Sequence, residues 1–148
     1  MRNLLDKLFG DAAEPGASED DLHRAALALL YEVARADGRV DESEQARLLQ
    51  ALGQRWGLDE HERERMLTTV RDHAEDATDL FDHTGLLREY WGPEPRAQLV
   101  ADMWEVAHAD GHADEHEEQI IRRVADLLYV SHGDFIRGKM NASARNDP

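Results

Sequence analysis

From residue 19 onward, apolar side chains recur every three to four positions, and no stretch shows a sustained alternation of period two. The pattern predicts a helix over 19–36, with Leu22, Ala26, Leu29, Leu30 and Val33 on one stripe, and another over 42–56, with Leu48, Leu49, Leu52 and Trp56. Helices are expected again over 59–76 (Met66, Leu67, Val70), 79–91 (Leu80, Phe81, Leu86, Leu87, Tyr90, Trp91) and 95–109 (Leu99, Val100, Met103, Trp104, Val106). Two more follow over 115–128 (Ile120, Ile121, Val124, Leu127, Leu128) and 132–140 (Phe135, Ile136, Met140). Gly85 weakens the fourth of these. Gly92-Pro93-Glu94-Pro95 is a break with proline near the start of the next helix. The aromatics Trp56, Trp91, Trp104 and Tyr129 lie at apolar helical spacing and are expected in the core. Short loops imply antiparallel neighbours. The chain therefore reads as all-α, a bundle of about seven helices. Its organisation reads as a short amphipathic helix (Leu4, Leu5, Leu8, Phe9) and linker over 1–18, a helical domain over 19–140, and a polar, disordered tail over 141–148.

The chain also repeats itself. Glu32-Val33-Ala34-Arg35-Ala36-Asp37-Gly38-Arg39-Val40-Asp41-Glu42-Ser43-Glu44 aligns without gaps on Glu105-Val106-Ala107-His108-Ala109-Asp110-Gly111-His112-Ala113-Asp114-Glu115-His116-Glu117. Apolar matches continue beyond it, Leu48 on Ile121 and Ala51 on Val124. The bundle is thus expected to contain two helix–loop–helix halves related by a pseudo-twofold.

Much of this motif is helix punctuation. Gly38 and Gly111 suit the left-handed residue that ends a helix. Asp41 and Asp114 stand where the next helix needs an N-cap, and Glu44 and Glu117, three residues on, complete a capping box. Asp59-Glu60-His61-Glu62 repeats that pattern with no further acidic cluster, so Asp-x-x-Glu needs no ion to explain it. Asp37 and Asp110 are different. Each falls at a helix C-terminus, where the macrodipole disfavours negative charge, and no capping box requires it. Three carboxylates around a tight turn repel unless a cation or an arginine compensates, and an oxygen-rich cluster suits hard cations. Asp37, Asp41 and Glu44, with Asp110, Asp114 and Glu117, are therefore candidate ligands for a divalent cation, Ca²⁺, Mg²⁺ or Mn²⁺ before Zn²⁺. The loops lack the twelve-residue spacing of an EF-hand. Pure capping, with Arg35 or Arg39 paired to Asp37, is the competing reading.

Charge sharpens the choice of partners. The 148 residues carry 17 Lys and Arg against 32 Asp and Glu, a formal charge of −15. Such a field repels phosphate backbones, which argues against nucleic acid, and attracts divalent cations and basic protein surfaces. It also keeps a helical protein in solution. There is no cysteine, so disulfides, thiolate metal sites and a cysteine nucleophile are excluded. The N-terminal stretch carries charge and has no signal-peptide core. No window approaches the roughly 18 apolar residues of a membrane span. The expected location is cytoplasmic.

The doubled Ala-Asp-Gly motif, followed each time by Asp-x-x-Glu, resembles the TerB-like family, which includes the tellurite-resistance protein TerB and the N-terminal domain of the DjlA co-chaperone. The stretch Ile121 to Ile136 is similar to a subgroup of small stand-alone bacterial members. The resemblance covers about residues 20–140. It implies an all-α bundle of two related halves, an acidic metal-binding surface falling here on the six carboxylates above, and a role in responses to tellurite and other chemical stress. The co-chaperone role is not implied, since no J-domain and no transmembrane segment accompany the motif.

Eight histidines raise the question of a transition metal. His108, His112 and His116 recur at intervals of four around the second loop, but Gly111 interrupts the helix between them, and their simpler reading is a solvent-facing set. No phosphate loop, nucleophile elbow or His-Glu-x-x-His is present. The expected function is a non-enzymatic binding module, with a scaffold whose loops are only caps as the alternative.

Overall fold

A computed structural model describes residues 18–36, 42–73, 80–109 and 113–146. Seven helices follow in chain order: α1 (Glu19–Ala34), α2 (Glu42–Trp56), α3 (Glu60–His73), α4 (Leu80–Tyr90), α5 (Pro93–Ala107), α6 (Glu115–Leu127) and α7 (His132–Asn146). No strand occurs among the described residues. The all-α bundle expected from the apolar period is the observed fold. The amphipathic segment and linker predicted upstream of Ser18 lie outside the described residues.

Helix α1 begins where Ser18 caps it. The Ser18 hydroxyl accepts from the Asp21 amide at 3.1 Å, and the Asp21 carboxylate accepts from the Ser18 amide at 3.1 Å. The Ser18 amide and hydroxyl, with Arg24 beside them, hold the Asp21 carboxyl below its ordinary range. Beyond the cap α1 turns apolar nearly all round. Ala26, Leu27, Leu29, Val33 and Ala34 have no exposed surface, which is the signature of a central helix. It packs against α2, α3, α4, α5 and α6, while α5 packs against α1, α2, α6 and α7. These pairings are the ones a pseudo-twofold generates: α1 with α2 mirrors α5 with α6, and α1 with α6 mirrors α5 with α2. The two halves interlock rather than sit side by side.

Trp104 fills the space between α5 and α7. It is fully buried, donates its indole N–H to the Phe135 carbonyl at 3.1 Å, and meets the Phe135 ring edge-on with centroids 5.2 Å apart. Gly138 lets α7 come this close, since a Cβ there would stand 3.0 Å from Trp104 Cδ1 and 3.2 Å from Ala101 Cα. The last helix is longer than the sequence suggests. The residues read as a disordered tail from 141 continue α7 to Asn146, because Ala142 is buried and extends the packed face by a turn.

Tyr129 corrects a second expectation. It is not in the core but 75% exposed, with φ 58°. The cause is the stop of α6: the Val130 amide donates to Ala125 O at 2.9 Å and the Tyr129 amide to Asp126 O at 3.1 Å, a Schellman turn with tyrosine in the glycine position. Arg88 lies over the Tyr129 ring at 4.6 Å and donates to Leu127 O, and Arg96 donates to Leu128 O. A left-handed conformation costs an L-residue about 1–2 kcal/mol. Tyr129→Gly is therefore expected to raise the unfolding free energy by up to about 1 kcal/mol, net of the lost Arg88 contact. Chemical denaturation checks this, and a destabilised variant would show the ring contact to be worth more than the strain. Phe81, Tyr90 and Met140, also placed on apolar stripes by their spacing, are exposed, whereas Trp56 and Trp91 are half-buried against the core.

Candidate functional site

Both repeat loops begin alike. Arg35 ends α1 with φ −99° and ψ 7°, its amide donating to Tyr31 O and Val33 O. His108 ends α5 with φ −91° and ψ 4°, its amide donating to Trp104 O and Val106 O. Ala36 and Ala109 then donate to Val33 O at 3.2 Å and Val106 O at 3.1 Å. The sequence repeat is thus a repeat of backbone geometry up to the loops. Asp37, Asp41 and Asp110 lie outside the described residues, as does the side chain of Glu44.

Asp114 and Glu117 form the capping box that their spacing predicts. Asp114 Oδ1 accepts from the Glu117 amide at 2.8 Å, and Glu117 Oε1 accepts from the Asp114 amide at 3.0 Å. Asp59 and Glu62 make the same two bonds, at 2.8 and 3.0 Å, ahead of α3. The two boxes differ in one respect. Glu62 stands in solvent, whereas Glu117 is 2% exposed. Capping does not require that burial, and a carboxylate removed from water needs compensation, to which more than the one amide contributes. The α6 dipole supplies part of it.

His108 departs from the solvent-facing set expected of the second-loop histidines. It is 7% exposed, its ring centroid 6.2 Å from that of Trp104, and both of its ring nitrogens are buried without a hydrogen-bond partner. It sits one helical turn after Trp104 and shares its inward face, which the equivalent Arg35 concealed from a reading by repeat. His116 is exposed as expected, and His112 lies outside the described residues. Among the described residues no three His, Asp or Glu side chains converge as a metal cage. Four of the six candidate carboxylates are not among them.

A second polar feature escaped the sequence reading. Asp102, on the inner face of α5, is nearly buried and pairs with Arg55 of α2, with Gln98 donating to its other oxygen at 3.2 Å. Burial raises its carboxyl above the ordinary carboxylate range despite Arg55. The available signal was a lone charge among Leu99, Val100, Met103, Trp104 and Val106. Across the same groove, the His23 ring stacks on Trp56 with centroids 4.1 Å apart.

No described helix is long and apolar enough to cross a membrane. No curated protein and no solved structure matches the chain. A family model described as tellurite resistance protein TerB matches residues 23–140, which is most of the chain and includes both repeat loops. With the doubled motif, the seven helices and the matching loop entries, the chain belongs to the TerB family.

Proposed function

We propose that this chain is a non-enzymatic, acidic binding module that holds divalent cations at its two Asp-Gly loops, within a cytoplasmic response to tellurite or other chemical stress. The observation that carries this reading is the burial of Glu117, in a capping box whose solvent-exposed counterpart at Glu62 performs the same capping. A cation drawn to Asp110, Asp114 and Glu117 would offset the cost of that buried charge, and the repeat extends the assignment to Asp37, Asp41 and Glu44. Oxygen donors favour Ca²⁺, Mg²⁺ or Mn²⁺. His108 adds a nitrogen donor two residues before Asp110, which keeps Zn²⁺ among the ions to compare. A basic protein surface is the alternative partner of the same acidic loops. The exposed box at Asp59 and Glu62 favours a second reading, a scaffold in which all three boxes are only caps.

Glutamine completes a capping box as glutamate does. Glu117→Gln therefore keeps the cap and removes the charge. Metal-stripped protein is expected to gain several degrees in Tm with one of Ca²⁺, Mg²⁺, Mn²⁺ or Zn²⁺ at matched ionic strength, rising with concentration as mass action requires. The gain is expected to vanish in Glu117→Gln and in Asp37→Asn/Asp110→Asn, and to persist in Glu62→Gln. Small, equal gains with all four ions would reflect screening of the net charge and leave the loops as caps.

A further inference from the structure

The pseudo-twofold makes two equivalent grooves, and their charges differ. In the α2–α5 groove every arginine has an acid opposite: Arg47 pairs with Glu105 at 3.5 Å, and Arg55 pairs with Asp102. In the α1–α6 groove the residues equivalent to Arg47, Arg55 and Asp102 are Ile120, Leu128 and Leu29, so that whole set of charges is gone. In its place a cavity of about 590 Å³ opens between the last turn of α1 and the first turns of α6. Its wall carries Arg35, Arg123, His116, Gln119 and Ile120, with Glu32 as the one acid among the described lining residues. Glu32 pairs with Arg35 at 3.6 Å. Among the described residues, the side chains of Arg123, His116 and Gln119 make no hydrogen bond or ion pair, although the chain as a whole bears −15 and offers acids in excess. An arginine left unpaired on a cavity wall of so acidic a protein is a place where an anion, not a cation, is favoured.

We propose that this cavity binds a small organic phosphate, with the phosphate held by Arg123 of α6 and Arg35 of α1 and the apolar body against Ile120. The volume lies in the range of small-molecule sites, roughly 300–1,000 Å³. One guanidinium fork satisfies a carboxylate, whereas two forks from separate helices match the three terminal oxygens of a phosphate monoester. The Gln119 amide and the His116 ring add donors on the same wall. A nucleic acid would extend its further phosphates past these arginines over the acidic remainder of the surface and is disfavoured there, whereas a single phosphate group meets only the groove. The site requires no metal; its lining residues Arg35 and Ala36 lead directly into the first repeat loop, and His116 precedes Glu117.

The test is a titration of metal-stripped protein with inorganic phosphate and with phenyl phosphate at fixed ionic strength, followed by amide NMR. Saturable shifts are expected at Ile120 and at the Gln119 side-chain amide, with phenyl phosphate the tighter probe. Arg123→Gln, a change at an exposed position that leaves the fold intact, is expected to weaken binding at least about tenfold, the worth of one charge-assisted contact. Arg47→Gln in the opposite groove is expected to leave it unchanged. Shifts that do not saturate, that chloride reproduces, or that survive in Arg123→Gln overturn the proposal. Equal affinity for the two probes overturns the role of the apolar wall. Because no metal is present, failure of the loops to bind cations leaves this result untouched.

Discussion

Replacing Trp104 by alanine is expected to lower the unfolding free energy by about 3–5 kcal/mol. Trp104 is the bulkiest fully buried side chain among the described residues, and it is the wedge between α5 and α7. Truncation opens a cavity and leaves the Phe135 carbonyl without its indole donor. The edge-on contact with the Phe135 ring is lost with it. Collapse of α7 into the gap is limited, because Gly138 already brings the two backbones close. Trp104→Phe separates the two causes: it retains most of the volume and loses the donor, so about 1–2 kcal/mol is expected. Urea unfolding monitored by far-UV circular dichroism measures both. A native stability of about 5–15 kcal/mol makes the alanine variant marginal. A loss below about 1 kcal/mol in that variant would mean that α7 contributes little to the cooperative unit.

The second large effect lies at the Arg55–Asp102 pair. Arg55→Met is expected to cost about 2–3 kcal/mol at neutral pH, below the range for a fully buried pair because part of Arg55 remains in solvent. The cost arises less from the lost attraction than from the carboxylate left behind in the groove. Its pH dependence follows from the direction of the Asp102 shift. An acid whose folded pKa lies above its unfolded value contributes stability below the unfolded value, and that contribution is lost as pH rises through the folded value. Asp102, raised by burial above 3.8, thus opposes folding more at neutral pH than in acid. Asp102→Asn is expected to raise Tm near pH 7, with the advantage fading as pH falls through the raised folded value of Asp102, below which the native aspartic acid is itself neutral. The Arg55→Met penalty is expected to shrink over the same window. Melting curves from about pH 3 to 8 decide it, and a penalty independent of pH would show that Arg55 acts through packing of its stem instead.

The helical period carried most of the architecture. The apolar stripe of α2 ends where the helix ends, and the repeated Ala-Asp-Gly segment anticipated the matching backbone at Arg35 and His108. What the period could not convey depended on contacts from elsewhere in the chain. Tyr129 falls on an apolar spacing, but the α6 stop turns it outward. Ala142 gives too small an apolar signal to extend α7, yet it packs fully. At the loops, the capping role of Asp114 and Glu117 was legible because it depends on residues three apart. The burial of Glu117 was not, because Glu62 has the same local sequence and faces solvent. His108 was concealed for a similar reason: its repeat partner is an arginine, and only the neighbouring Trp104 marks the inward face.

The interlocked pairing of α1 with α6 and α5 with α2 bears on how such a chain could have arisen. A gene encoding one half would yield a hairpin whose central helix has lost its covering on one side. Two copies of that hairpin could cover each other by the same exchange, as an isologous homodimer does. Duplication and fusion would then convert an association dependent on concentration into one that is not. Once joined, the two grooves were no longer forced to be identical. One is filled with internal ion pairs, and the other is open, with Arg123 unpaired among the described residues.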